Sequence, residues 1–135
     1  MSDLDNAQQE FIALRDQVNG AQLATLAAGG IPEASYAPLV WLDGSCFLFL
    51  SELASHTGNL QHCPAIGLML IEPQAGANAF ARRRITLQGE ATVIARDDTL
   101  FARVMVEFHR RFGKVMEIIE PLPDFRLFRL SLRRG

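Results

Sequence analysis

The stretch Ser51-Glu-Leu-Ala-Ser-His-Thr-Gly-Asn-Leu60 sets Ser51, Ser55, His56, Thr57 and Asn59 close together. It lies between two largely apolar runs, Cys46–Leu50 and Ala65–Glu72, that both read as strands. Hydroxyls and an imidazole at a strand-to-helix junction can hold a phosphate. The first backbone N–H groups of a helix have no internal partner, and its dipole favours an anion. On local sequence alone the same serines also serve as helix caps, which is the commoner use of such residues.

Two further groups carry chemistry. Arg82-Arg83-Arg84 opens an expected strand, where Arg82 and Arg84 would share one face and Arg83 the other. A guanidinium on a strand face can reach a phosphate or a ring edge, or can simply guard an edge against aggregation. Gln88, on the Arg84 face, could hydrogen-bond a heterocycle or face water. Ser35-Tyr36-Ala37-Pro38 interrupts a strand with a residue that cannot donate to a ladder, so it marks an edge, a bulge or a break. A flat ring could lie there.

Other chemistries find no support. The chain has no G-x-G-x-x-G, no G-x-x-x-x-G-K-[ST], no H-E-x-x-H and no G-x-S-x-G. His56, His62 and His109 do not share a helix face, so a metal site is not expected. No catalytic residue can be named.

The elements that would position these residues follow from periodicity. Ala7, Phe11, Leu14 and Val18 form one helical stripe over residues 3–19, with Ser2 or Asp3 as its cap. Strands are expected over 21–28, 33–43, 45–50, 65–72, 81–95 and 125–134, the fifth bent at Gly89. Asp43-Gly44 is a two-residue hairpin signal. A short helix is expected over 52–62 and an amphipathic one after Asp97 or Asp98, with Phe101, Val104, Met105, Phe108 and Phe112 on its stripe. Pro73–Phe80 reads as loop and Glu120–Asp124 as a turn. In the last strand Leu127, Arg129, Ser131 and Arg133 take one face. Phe125, Phe128, Leu130 and Leu132 take the other, with a slip near Phe125. The order α-β-β-β-α-β-β-α-β predicts a mainly β fold, an antiparallel barrel with helices across its ends.

The totals agree with one folded domain over residues 1–135: hydrophobic residues make up 49% and charged ones 21%. A net charge of −2 gives no footprint for nucleic acid. No apolar run approaches the ~20 residues of a membrane span. The acidic start MSDLDNAQQEF is not a secretory leader, which predicts a cytoplasmic protein. Cys46 and Cys63 are then expected as free thiols.

Taken in order, these motifs resemble the FMN-binding split barrel of the pyridoxamine 5'-phosphate oxidase type. LSELASHTGNL, RRRITLQGEATV and DFRLFRLSLRRG are similar to its haem-utilisation (HugZ-type) branch. The resemblance implies a Greek-key split barrel and a homodimer with two flavin sites at the interface. It implies that Ser51, Ser55, His56, Thr57 and Asn59 hold the FMN phosphate. Ser35, Tyr36, Ala37 and Pro38 would lie along the flavin ring, which Arg84 and Gln88 would reach. The oxidase branch carries Arg-Lys where this chain has His56-Thr57, and Arg where it has Ser35, so positive charge is removed from the phosphate site. The haem-utilisation branch continues into a C-terminal region that supplies a haem-ligating His, and Asp124 matches an acidic position near its haem. The resemblance therefore implies an FMN-binding oxidoreductase. The alternatives are a haem-binding barrel or a cofactor-free dimeric scaffold. The substrate and electron donor are not legible.

Overall fold

Ser2 starts the chain's first helix, α1 (Asp3–Gln17), by accepting a hydrogen bond from the Asp5 amide at 3.2 Å. Asp3 and Asp5 in the first turn suit its dipole. The helix stops two residues earlier than the stripe suggests, because Val18 is already extended. The computed structural model describes residues 2–73 and 78–134, so part of the expected 73–80 loop lies outside the described residues.

Six antiparallel strands follow: β1 (Gly20–Ala27), β2 (Ile31–Leu42), β3 (Ser45–Ser51), β4 (Ala65–Ile71), β5 (Arg84–Ile94) and β6 (Phe125–Arg134). They close into a barrel in the order β1-β2-β3-β6-β5-β4. Two meanders, β1–β3 and β4–β6, are thus joined by a crossing from β3 to β4, which is the split-barrel, Greek-key arrangement. The β2–β3 hairpin turns on Asp43 and Gly44 at φ 52° and 78°, both left-handed as a tight primed turn requires.

Alternation sorts the strands. Leu23, Leu39, Leu48, Leu68 and Leu130 fill the barrel interior. β3 is apolar on both faces because Phe47 and Phe49 point outward beneath α3 (Thr99–Phe112) and α4 (Val115–Ile119). Asp98 caps α3, its Oδ1 accepting from the Leu100 amide at 2.8 Å. The helix α4 lies before the expected Glu120–Asp124 turn, in residues for which no element was expected. Phe125 also departs from expectation: it joins Leu127 in the cluster under α3, so β6 alternates without a slip. The fifth strand begins at Arg84, leaving Arg82 and Arg83 before it.

At Gly89 a Cβ would stand 1.8 Å from the Ser131 carbonyl oxygen, so glycine there lets β5 approach β6. Pro38 has its own role. Residues 31–38 of β2 pair with β1, whereas 39–42 pair with β3. Pro38 sits at that switch, where its missing N–H costs no ladder bond. Beyond it the two strands part, since Phe49, Leu50 and Ser51 of β3 pair only with β6. The split leaves one edge of Ile31–Pro38 without a strand partner.

Candidate functional site

The helix α2 (Ser55–His62) closes that split. Its N-cap is Ala54, whose side chain cannot cap, so neither Ser51 nor Ser55 is the N-cap. Ser51 Oγ instead accepts from the Leu53 amide at 3.1 Å and donates to Asp124 at 3.4 Å. The loop is pinned again by the Glu52 amide on the Asp124 carbonyl at 2.7 Å and by Arg126 Nε on Glu52 at 2.6 Å. Asp124 thus acts on the site through its loop.

Across the split, His56 Nδ1 lies 3.0 Å from Ser35 Oγ. Ser55 Oγ donates to Glu33 Oε1. Thr57 is fully buried and donates to the Ser51 carbonyl, and Asn59 Nδ2 donates to the buried Thr25 Oγ1 at 3.0 Å. Ser35, Ser51, Ser55, His56, Thr57 and Asn59 therefore gather at one place. Ser55 faces solvent, and His56, Ser35 and Ser51 are half-buried. Burial lowers the His56 pKa from its ordinary 6.5, and the nearby Glu33 charge opposes this only in part. The ring is therefore neutral near pH 7.

The other expected residues divide between two faces. Ala37 points into the barrel and is buried. Tyr36 is 59% exposed on the outer face, packed over Gly20 where a Cβ would meet its hydroxyl. The register puts Ala34, Ala24, Gly67, Gln88 and Arg133 side by side across β2, β1, β4, β5 and β6. They form an outer row along the barrel wall, small residues first and then an amide and a guanidinium. Gln88 thus joins Ala24, Leu26, Gly67 and Arg133 around an open cavity of about 350 Å³. Arg84 is exposed, and its Nη1 donates to the Arg82 carbonyl at 3.1 Å. Arg82 does not share its strand face; its Nε donates to the Glu72 carbonyl at 2.6 Å. Arg83 pairs with Glu72 at 3.0 Å, and its backbone and side-chain bonds hold that carboxyl below its usual range.

Two residues were missed by sequence reasoning. Glu33 shares a β2 face with Ser35, a relationship visible in the alternation. Thr25 sits at an inward position of β1 and needed a polar partner there, which Asn59 supplies. Among the described residues, no group of three or more His, Cys, Asp and Glu could hold a metal ion. Both cysteines are free, and no described helix is long and apolar enough to cross a membrane.

The barrel can be compared with known proteins. The pyridoxamine 5'-phosphate oxidase family description matches residues 4–135. The chain belongs to that family. Within the family, it is 36% identical over 129 residues to the heme oxygenase HutZ of Vibrio cholerae serotype O1, covering 95% of this chain and 73% of that protein. The crystal structure of HutZ, described as a heme storage protein, superposes with a TM-score of 0.88 at 35% identity, over 95% of this chain and 91% of that one. A heme binding protein from Mycobacterium smegmatis gives 0.79 at 27% identity, over 89% of this chain but 50% of that one. ChuZ from Campylobacter jejuni gives 0.88 at 25% identity, and this chain spans 58% of its length. The similarity thus lies with the haem-utilisation branch of the pyridoxamine 5'-phosphate oxidase family.

Proposed function

We propose that the chain is a haem-binding barrel that works as a homodimer. The likeness to HutZ over 95% of the chain carries this proposal. The site's chemistry supports it. A porphyrin is flat, apolar and edged by carboxylates. The row Ala34–Ala24–Gly67 carries no side chain larger than a methyl, its alanines are exposed and Gly67 is half-buried, and Tyr36 and Leu26 flank it. Arg133 at its end would receive a carboxylate. The cavity of about 350 Å³ is at the small end for an enclosed ligand pocket. A macrocycle would lie across the face, and a second copy of the chain would close it. Bound haem supplies iron-centred chemistry; this chain's residues bind and orient it and exclude water. His56 and Ser35 hold α2 beside the open edge of β2.

One observation favours FMN as a second reading: Ser35, Ser51, Ser55, His56 and Asn59 converge at the start of α2. Glu33 weakens it, because a carboxylate bonded to Ser55 repels a phosphate at that helix start. Thr57 is also spent, its hydroxyl buried on the Ser51 carbonyl.

The test is a pair of titrations on one preparation, with haemin followed by its Soret band and FMN by its visible absorbance. The proposal expects saturable haemin binding tighter than FMN binding. Flavin retained on a sizing column with no saturable Soret change would transfer the assignment to FMN. Neither chromophore binding would leave a dimeric scaffold.

A further inference from the structure

Haem on the outer row would leave the side chains at the start of α2 without a chemical use. Two of them are a hydroxyl and an imidazole in contact: Ser35 Oγ and His56 Nδ1 lie 3.0 Å apart. That is the reach a serine nucleophile and its base require. Both side chains are half-buried, so each keeps contact with solvent.

The other hydroxyls of the cluster are committed elsewhere. Thr57 donates to the Ser51 carbonyl, Ser51 to Asp124 and Ser55 to Glu33. Ser35 is the cluster's one hydroxyl bonded to an imidazole among the described residues. Burial keeps that imidazole neutral near pH 7. With its proton on Nε2, Nδ1 accepts from the Ser35 hydroxyl. Glu33 shares the inward β2 face with Ser35, two residues earlier. Its charge favours the protonated ring, so it would stabilise the imidazolium once a proton arrives. Ser55 holds that carboxylate in place by donating to its Oε1. Nucleophile, base and supporting carboxylate thus come together from two elements distant in sequence.

We propose that Ser35 is an acyl-accepting nucleophile, with His56 as its base, toward small neutral carboxylic esters. Ser35 Oγ bonds to the ester carbonyl carbon while its proton passes to His56 Nδ1. The bond from that carbon to the alcohol oxygen breaks, and the alcohol leaves with the proton. Water then adds its hydroxyl to the acyl carbon and returns its hydrogen to Ser35 through His56. The products are the carboxylic acid and the free serine, with no oxidant or reductant. Half-burial admits only a short acyl group, and Glu33 disfavours an anionic one.

The purified full chain is treated with diisopropyl fluorophosphate, which phosphorylates activated serines, and the modified residue is located by peptide mass. Hydrolysis of 4-nitrophenyl acetate is followed by the nitrophenol released. The expected result is modification at Ser35 and saturable hydrolysis that slows as the pH falls below 6.5, through the lowered His56 value. Ser35→Ala should abolish the modification and slow hydrolysis at least tenfold. His56→Gln should slow both at least tenfold, with melting curves confirming that each variant folds. Ser35→Cys keeps a nucleophile beside the imidazole. Its new thiol should react with iodoacetamide at least tenfold faster at pH 7 than the same thiol in a protein that also carries His56→Gln. No modification at Ser35, equal hydrolysis by the wild type and Ser35→Ala, or equal thiol rates with and without His56 would each overturn the proposal and leave the contact as a fastening for α2.

Discussion

His56 Nδ1 and Ser35 Oγ meet at 3.0 Å across the one place where β2 and β3 part company. This contact fastens α2 to a strand edge that has no ladder partner. It joins the loop after β3 to the residues along β2, which makes the split a built site instead of a gap.

Ser35→Ala removes that fastening. A side-chain hydrogen bond of this kind is worth about 1 kcal/mol. The melting temperature should fall by roughly 3–5 °C for a domain of this size. An unchanged melting curve would mean that α2 is held by its other contacts alone.

The same pair predicts a pH dependence. The His56 pKa is lowered from 6.5, first by burial and against the pull of Glu33. The unfolded chain then takes up the proton more readily than the folded one. Stability rises with pH between the lowered value and 6.5, is fully present above 6.5, and is lost as the pH falls through that window. Urea unfolding at several values between pH 7.5 and pH 5 should show the wild type losing more stability than His56→Gln. Parallel curves would contradict this.

Gly89 and Gly67 make a contrast within adjacent strands. A methyl at Gly89 runs into the Ser131 carbonyl at 1.8 Å, whereas one at Gly67 meets the Ala24 methyl at 3.4 Å. Gly89→Ala should cost more than about 3 kcal/mol or prevent folding, and Gly67→Ala should cost under about 1 kcal/mol. Chemical denaturation of both variants decides it; equal midpoints would refute the close approach of β5 and β6.

Ala24→Glu places a charge in the outer row between Ala34 and Gly67. The side chain is exposed in one chain, so the melting temperature should move by only a few degrees. Haem affinity should drop at least tenfold, because a carboxylate there would be desolvated under the macrocycle. Wild-type affinity in this variant would remove the row from the site.

Much of this was legible beforehand because it rests on local rules. Alternation located the six strands, Asp43-Gly44 the hairpin, and Asp97-Asp98 the start of α3, with Asp98 the one that caps it. The family resemblance named the residues that gather at α2. Other features depend on pairing at long range and were not legible. Phe125 reads as a slipped strand residue until α3 covers it. Arg82 reads as a strand residue until the Glu72 carbonyl takes its Nε. Glu33 and Ser55 are far apart in sequence, and only the closed barrel shows that a carboxylate stands where a phosphate was expected. The buried indole N–H of Trp41 has no acceptor among the described residues, which no local pattern records.

The central claim is that this barrel binds haem, and the most direct test is a Soret-region titration of the purified chain with haemin, with the mass of the complex measured alongside. The account predicts a saturable spectral change on a species of dimer mass. Absence of any saturable Soret change at high protein concentration would contradict it.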